Sequence, residues 1–282
     1  MQDIPLIIAP DPDEPEAAEV LIDGTVDGRP RRFLLDTGAA RSQLLTDPHT
    51  AGLATVSTEA SYGAVAETSN ELVCISELAV GPLHAQDLEV VRVAAEQPGA
   101  RDLLGMDILA SACCRFDLAR QQLRIEASPH PDAGLPLIMD ERKHCYVELD
   151  WPDAQAQACF DTGAGLTIVD QAFIDKHPRL FEPAGTSTGT DATGASFETP
   201  IFLMTAPAIG GTQFTTHTVA AIDLAPVNAT LDLPMDLILG YPTIRQASWL
   251  FDFPARRWSL SRVAPNQPSR HDPTSPLELS TN

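Results

Sequence analysis

The chain has 282 residues, 44% of them hydrophobic, with 39 acidic against 18 basic side chains and a formal net charge of −21. That length accommodates two compact units of about 125 residues, each able to bury a core. The acidity argues against nucleic acid or an anionic membrane surface as the main partner, and no apolar run reaches the ~18 residues of a bilayer span. Five cysteines (Cys74, Cys113, Cys114, Cys145, Cys159) form an odd set without framework spacing, as expected of reduced thiols. Met1-Gln2-Asp3-Ile4-Pro5 carries no basic leader and an acidic stretch from Asp11 to Glu16 follows it. A cytoplasmic location is therefore expected over a periplasmic or secreted one.

In chain order, Ala18 to Asp23 and Arg32 to Leu35 bracket the turn signal Asp27-Gly28 and predict a hairpin that runs into Asp36-Thr37-Gly38. A second hairpin is expected around Ala60-Ser61-Tyr62-Gly63-Ala64, and Met106 to Cys113 reads as a short helix, with Cys113-Cys114 packing in its apolar stretch. Ser128 to Asp132 carries Pro129 and Pro131 and is the expected linker, within 128–134. Beyond it, Cys145 to Leu149 and Gln157 to Phe160 flank Trp151-Pro152-Asp153 and lead into Asp161-Thr162-Gly163. Asp170 to His177, stopped by Pro178, predicts a helix, and Thr188-Gly189-Thr190 a further hairpin. From Ala264 the chain is polar and punctuated by proline, so 264–282 is expected to be a disordered tail.

These elements repeat. Leu103-Leu104-Gly105 answers Ile238-Leu239-Gly240 at an offset of 135, and Phe116-Asp117 answers Phe251-Asp252 at the same offset. Ile4-Pro5-Leu6-Ile7 answers Leu135-Pro136-Leu137-Ile138 at 131, whereas Asp36 and Asp161 stand 125 apart; the shift of six is expected in the hairpin between. Short β segments dominate both units, with turn residues every 8–12 positions, which favours an all-β barrel or sandwich. The expected organisation is a unit over 1–127, the linker, and a second unit over 135–263.

An Asp-Thr-Gly triplet after an apolar strand, with an apolar-apolar-Gly element downstream, resembles the aspartic proteases, and here the pattern occurs twice. Ala39 and Ala164, three residues after each aspartate, are similar to the retroviral-type branch, where pepsins carry Ser or Thr. The run from Leu103-Leu104-Gly105-Met106-Asp107 to Phe116-Asp117-Leu118 resembles the bacterial retropepsin-like group. The resemblance implies two homologous β-barrel lobes with an active-site cleft between them, fused in one chain, so that a monomer suffices to build the site. It implies that Asp36 and Asp161 are the catalytic pair. Thr37, Gly38, Thr162 and Gly163 would support the active-site loops, and Tyr62, Gly63 and Gly189 would belong to two flaps over an extended peptide or unfolded-protein substrate.

The chemistry explains the pairing. Two carboxylates in contact repel, so one keeps a proton while the other is ionised. The ionised member takes a proton from a bridging water and the protonated one donates to the peptide carbonyl. No metal or organic cofactor is required. The other readings are a catalytically inactive peptide- or protein-binding module of the same fold, and a hydrolase of a non-peptide substrate. A zinc site from His144, Cys145, Cys159 and His177 lacks standard spacing. Asn228-Ala229-Thr230 is a glycosylation sequon by pattern only, and Asp107, Asp117 and Asp252 read as turn or capping residues.

Overall fold

A computed structural model describes residues 2–62, 67–97, 99–128, 133–190 and 196–262. The chain is all-β, with short helices, and its described strands form one 13-stranded and one 10-stranded sheet. Each lobe starts from a hairpin that the sequence encodes locally. Strand Ala18–Val26 turns Ala18, Val20, Ile22 and Val26 inward, and Asp27 and Gly28 both take positive φ, 49° and 75°, the requirement of the tight turn that matches strand twist. The returning strand Arg29–Leu35 begins exposed and ends on buried Phe33, Leu34 and Leu35. Burial thus increases along the strand until Asp36. In the second lobe, Cys145–Trp151 and Ala154–Phe160 pair in the same way, and the return strand ends on buried Ala158, Cys159 and Phe160.

The ends of these return strands are held by non-local parallel pairing. Leu34 and Leu35 pair with Leu103 and Leu104, and Cys159 and Phe160 pair with Ile238 and Leu239. The lobes are then fused by a shared sheet. Strand Cys113–Asp117 lies antiparallel to Ala247–Asp252, with Arg115 opposite Leu250. Those two residues are equivalents in the 135-residue repeat, so the pseudo-two-fold axis passes between them. Phe116, Phe160 and Phe251 meet across this seam at centroid distances of 4.5–6.1 Å. Such pairs add about 0.5–1.5 kcal/mol each beyond the area they bury, and one apolar core runs through both lobes.

Two expectations are corrected. The first helix spans only Met106–Leu109, and Cys113-Cys114 opens a strand instead. The pairing of Cys114 with Phe251 of the other lobe overrides the local helical pattern. Both thiols are buried, and burial pushes Cys113 up to about 11 and Cys114 higher. The six-residue shift lies ahead of the hairpin. Ile8 pairs with Val20 across a long connection, whereas Met139 pairs with Cys145 across a short one. The helix expected after Asp170 is present as Gln171–Lys176, with the Asp170 side chain capping it. Residues 129–132 of the expected linker and the whole of 264–282 lie outside the described residues. Among the described residues, no helix is long and apolar enough to cross a membrane.

Candidate active site

The two Asp-Thr-Gly loops meet at the seam. Leaving its strand, each aspartate donates its backbone N–H to the downstream bracing strand, Asp36 to Leu104 O at 3.0 Å and Asp161 to Leu239 O at 3.1 Å. Each loop then folds back on its own carboxylate. The N–H groups of Gly38 and Ala39 both donate to Asp36 Oδ1 at 2.9 Å, and Gly163 N–H donates to Asp161 Oδ1 at 2.8 Å. Each glycine also faces the opposite aspartate. A Cβ on Gly38 would stand 2.6 Å from Asp161 Cγ, and one on Gly163 would stand 2.6 Å from Asp36 Cγ. Each carboxyl therefore stands directly against the loop that carries the other.

The threonines between them lock the loops. The Thr37 hydroxyl donates to Phe160 O at 2.9 Å and accepts from Thr162 N–H at 3.0 Å. The Thr162 hydroxyl donates to Leu35 O at 2.7 Å and accepts from Thr37 N–H at 3.2 Å. All four bonds cross between lobes, and both side chains are buried.

The electrostatics follow from burial. Desolvation and then the charge of Asp161 push Asp36 well above the usual 3.8. Burial also raises Asp161, opposed by the Gly163 N–H and by His144. Two carboxyls so placed disfavour each other's charge, so the pair loses its two protons in separate steps.

Beneath each loop lies a bracing network that the motif alone did not reveal. In the first lobe, Asp107 accepts from the Ser42 backbone N–H and hydroxyl, both at 2.8 Å, and the Ser42 hydroxyl accepts from Gly105 N–H at 3.1 Å. In the second lobe, Thr167, the equivalent of Ser42, accepts from Gly240 N–H at 3.1 Å. Its hydroxyl lies 2.7 Å from that of Thr243, which lies 2.7 Å from Nε2 of buried His217. Burial lowers the pKa of His217, and its Nδ1 lies 2.8 Å from Thr215 O. The matching hydroxyls of Ser42 and Thr167 were a legible signal; the partners that complete each network were not.

Other predicted residues are placed as follows. Tyr62 ends strand Thr55–Tyr62, Gly63 lies outside the described residues, and so does the Tyr62 side chain. Gly189 pairs with Phe197 in the hairpin of Phe181–Thr190 and Ser196–Met204, whose tip, 191–195, is also outside them. The structure does not bring His144, Cys145, Cys159 and His177 together. His144 pairs with Asp140, Cys145 lies in the main core, Cys159 packs in a separate cluster, and His177 packs on Phe173 at 4.6 Å. Asp107, Asp117 and Asp252 each accept a nearby backbone N–H, as turn and capping residues do. Among the described residues, no group of three or more His, Cys, Asp or Glu side chains is arranged to hold a metal ion.

No curated protein matches the chain in sequence. Residues 22–111 match the family model described as gag-polyprotein putative aspartyl protease, a stretch that includes the Asp36-Thr37-Gly38 loop and the Leu103-Leu104-Gly105 brace. Over that stretch the chain is similar to the retropepsin-like aspartyl proteases, and its all-β fold is consistent with that likeness.

Proposed function

We propose that the chain is an aspartic endopeptidase in which Asp36 and Asp161, one from each lobe, share a proton and activate a water. The observation that carries this reading is the reciprocal packing of Gly38 on Asp161 and Gly163 on Asp36. It leaves two half-buried carboxyls side by side. Two charges about 3 Å apart repel by roughly 5 kcal/mol at an effective dielectric near 20, so a pair this close would hold one proton. The ionised member removes a proton from a water between them as that water attacks the peptide carbon. The protonated member donates to the carbonyl oxygen, giving a tetrahedral intermediate, and reverse transfer to the nitrogen releases the two products. No covalent intermediate forms, and no cofactor takes part.

The substrate is an extended peptide or unfolded protein strand, covered by the hairpins that strands Thr55–Tyr62 and Phe181–Thr190 open, with Tyr62 and Gly189 in the flaps. The catalytic unit is one chain, with lobes over 1–127 and 135–263. The four threonine bonds between lobes support a site that needs no second copy. Incubation of a denatured protein mixture with the wild type and with Asp36→Asn tests the reading. Cleavage is expected with the wild type alone. Equal cleavage by both rejects the catalytic assignment, and peptide binding without cleavage favours the inactive binding module.

A further inference from the structure

The two sides of the cleft differ, although the loops match. Side chains alternate along a strand, so the residue two before each aspartate shares its face: Leu34 before Asp36 and Cys159 before Asp161. Register extends both faces. Leu34 is paired with Leu21 and Leu103, and Leu103 with Gln43. At the matching positions, Cys159 is paired with Tyr146 and Ile238, and Ile238 with Ile168. Each row runs from its aspartate outward along one lobe.

On the second lobe that row is roofed by the chain itself. Tyr146 and Cys159 are buried in one apolar cluster with Leu224 and Met235, and Leu231 and Leu233 pack against it. The roof comes from a long connection. Fifteen residues, 223–237, separate Ile222 from Ile238, against nine, 94–102, between the equivalent Val93 and Leu103. Its fold is fixed by polar bonds. Asn228 and Met235 exchange two hydrogen bonds of 2.9 Å, and Asp236 N–H donates to Gln157 O at 2.8 Å. On the first lobe, Leu34 is buried and Leu21, Gln43 and Leu103 are half-buried, and none of the four belongs to an apolar cluster among the described residues. The shorter connection there is tied sideways, through an Arg101–Glu19 ion pair.

We infer that the cleft is size-asymmetric. The first-lobe face beside Asp36 receives a large apolar side chain, and the face beside Asp161, occupied by Leu231 and Leu233 over Cys159, admits only a small one such as Gly, Ala or Ser. The substrates are then peptides with a bulky apolar residue on one side of the reacting bond and a small residue on the other. The inference rests on the endopeptidase reading for the bond, but not for the fit. A hydrophobic subsite discriminates by about 10- to 200-fold per group of methylene size, so the preference is expected within that range.

A peptide library randomised on both sides of one central bond tests it in two ways: cleavage by the wild type, and binding to Asp36→Asn, which keeps the cleft. The expected result in both is a bulky–small pair, at least tenfold over bulky–bulky. The double variant Leu231→Ala/Leu233→Ala, verified as folded by its thermal midpoint, is expected to raise acceptance of bulky–bulky peptides about tenfold. If that variant does not fold, the wild-type and Asp36→Asn profiles decide. An asymmetric binding profile without wild-type cleavage removes the endopeptidase reading and keeps the asymmetry. A symmetric profile, or no peptide binding at all, overturns the inference.

Discussion

Thr37 and Thr162, 125 residues apart, each accept the other's backbone N–H on a side-chain hydroxyl and donate that hydroxyl to a carbonyl of the opposite lobe. Neither residue can be satisfied within its own half. Thr162→Val keeps the shape but leaves Thr37 N–H and Leu35 O buried without partners, at about 1–3 kcal/mol each. A loss of about 2–6 kcal/mol is expected in denaturant titration. Thr162→Ser keeps the hydroxyl and is expected to lose only about 1 kcal/mol, for the missing methyl. Equal losses in the two variants would show that the hydroxyl contributes nothing.

Gly38→Ala and Gly163→Ala are expected to abolish activity by displacing the carboxylate of the other lobe, since the added carbon would lie 2.6 Å from Asp161 Cγ or Asp36 Cγ. Misplacing a catalytic group by about 1 Å costs on the order of 10²-fold in rate. Gly28→Ala, where a Cβ meets nothing within 4 Å, strains only the turn (φ 75°), and its kcat is expected to stay near the wild-type value. Peptidase assays on the three variants distinguish the cases.

The dyad makes stability depend on pH in a definite direction. Burial raises both carboxyls above 3.8 in the folded protein, so the native state binds protons more tightly than the unfolded chain. The dyad's contribution is present in full below pH 3.8 and declines as pH rises through the raised values. Asp36→Asn is expected to flatten this decline, so that the variant gains relative to the wild type between pH 4 and 7. Denaturant midpoints across that range measure it; a variant that loses ground as pH rises contradicts the buried pair.

His217 acts with the opposite sign. Its folded pKa is lowered from 6.5 by burial, so the neutral form is favoured and stability is lost as pH falls below 6.5. The Thr243–Thr167–Gly240 brace ends on its Nε2, with Glu16 and Arg245 as its charged neighbours. Thermal midpoints from pH 8 to 5 are expected to show this slope in the wild type and to lack it in His217→Asn, the difference between the two curves isolating the histidine from the dyad.

A less acidic optimum than pepsin's is expected for activity. Ala39 and Ala164 offer no hydroxyl to the carboxylates, and burial raises both acids. A pH–rate maximum near 2 would refute this.

Much of the architecture was legible because it is encoded locally and twice. Asp27-Gly28 announced its turn, Asp170 its helix cap, and the paired Asp-Thr-Gly triplets the meeting of two loops. Cys113-Cys114 misled, because their strand is created by a partner 137 residues away, Phe251 opposite Cys114. The brace under the second loop was hidden for a similar reason. Asp107 serves the first loop, but the corresponding residue in the second half is Pro242, and its task passes to Thr243 and His217. The packing of Leu224, Leu231, Leu233 and Met235 with Tyr146 and Cys159 is likewise a property of the folded lobe.

By itself the sequence determined the β character and the spacing of the two Asp-Thr-Gly triplets, since periodicity, turn chemistry and motif are properties of neighbouring residues. The tertiary structure alone decided that Gly38 and Gly163 press on each other's aspartate, that the lobes share a sheet through Arg115 and Leu250, and that Tyr146 and Cys159 pack with Leu224 and Met235. Those facts depend on contacts between residues distant along the chain, whose geometry is fixed only when burial and backbone pairing are satisfied together.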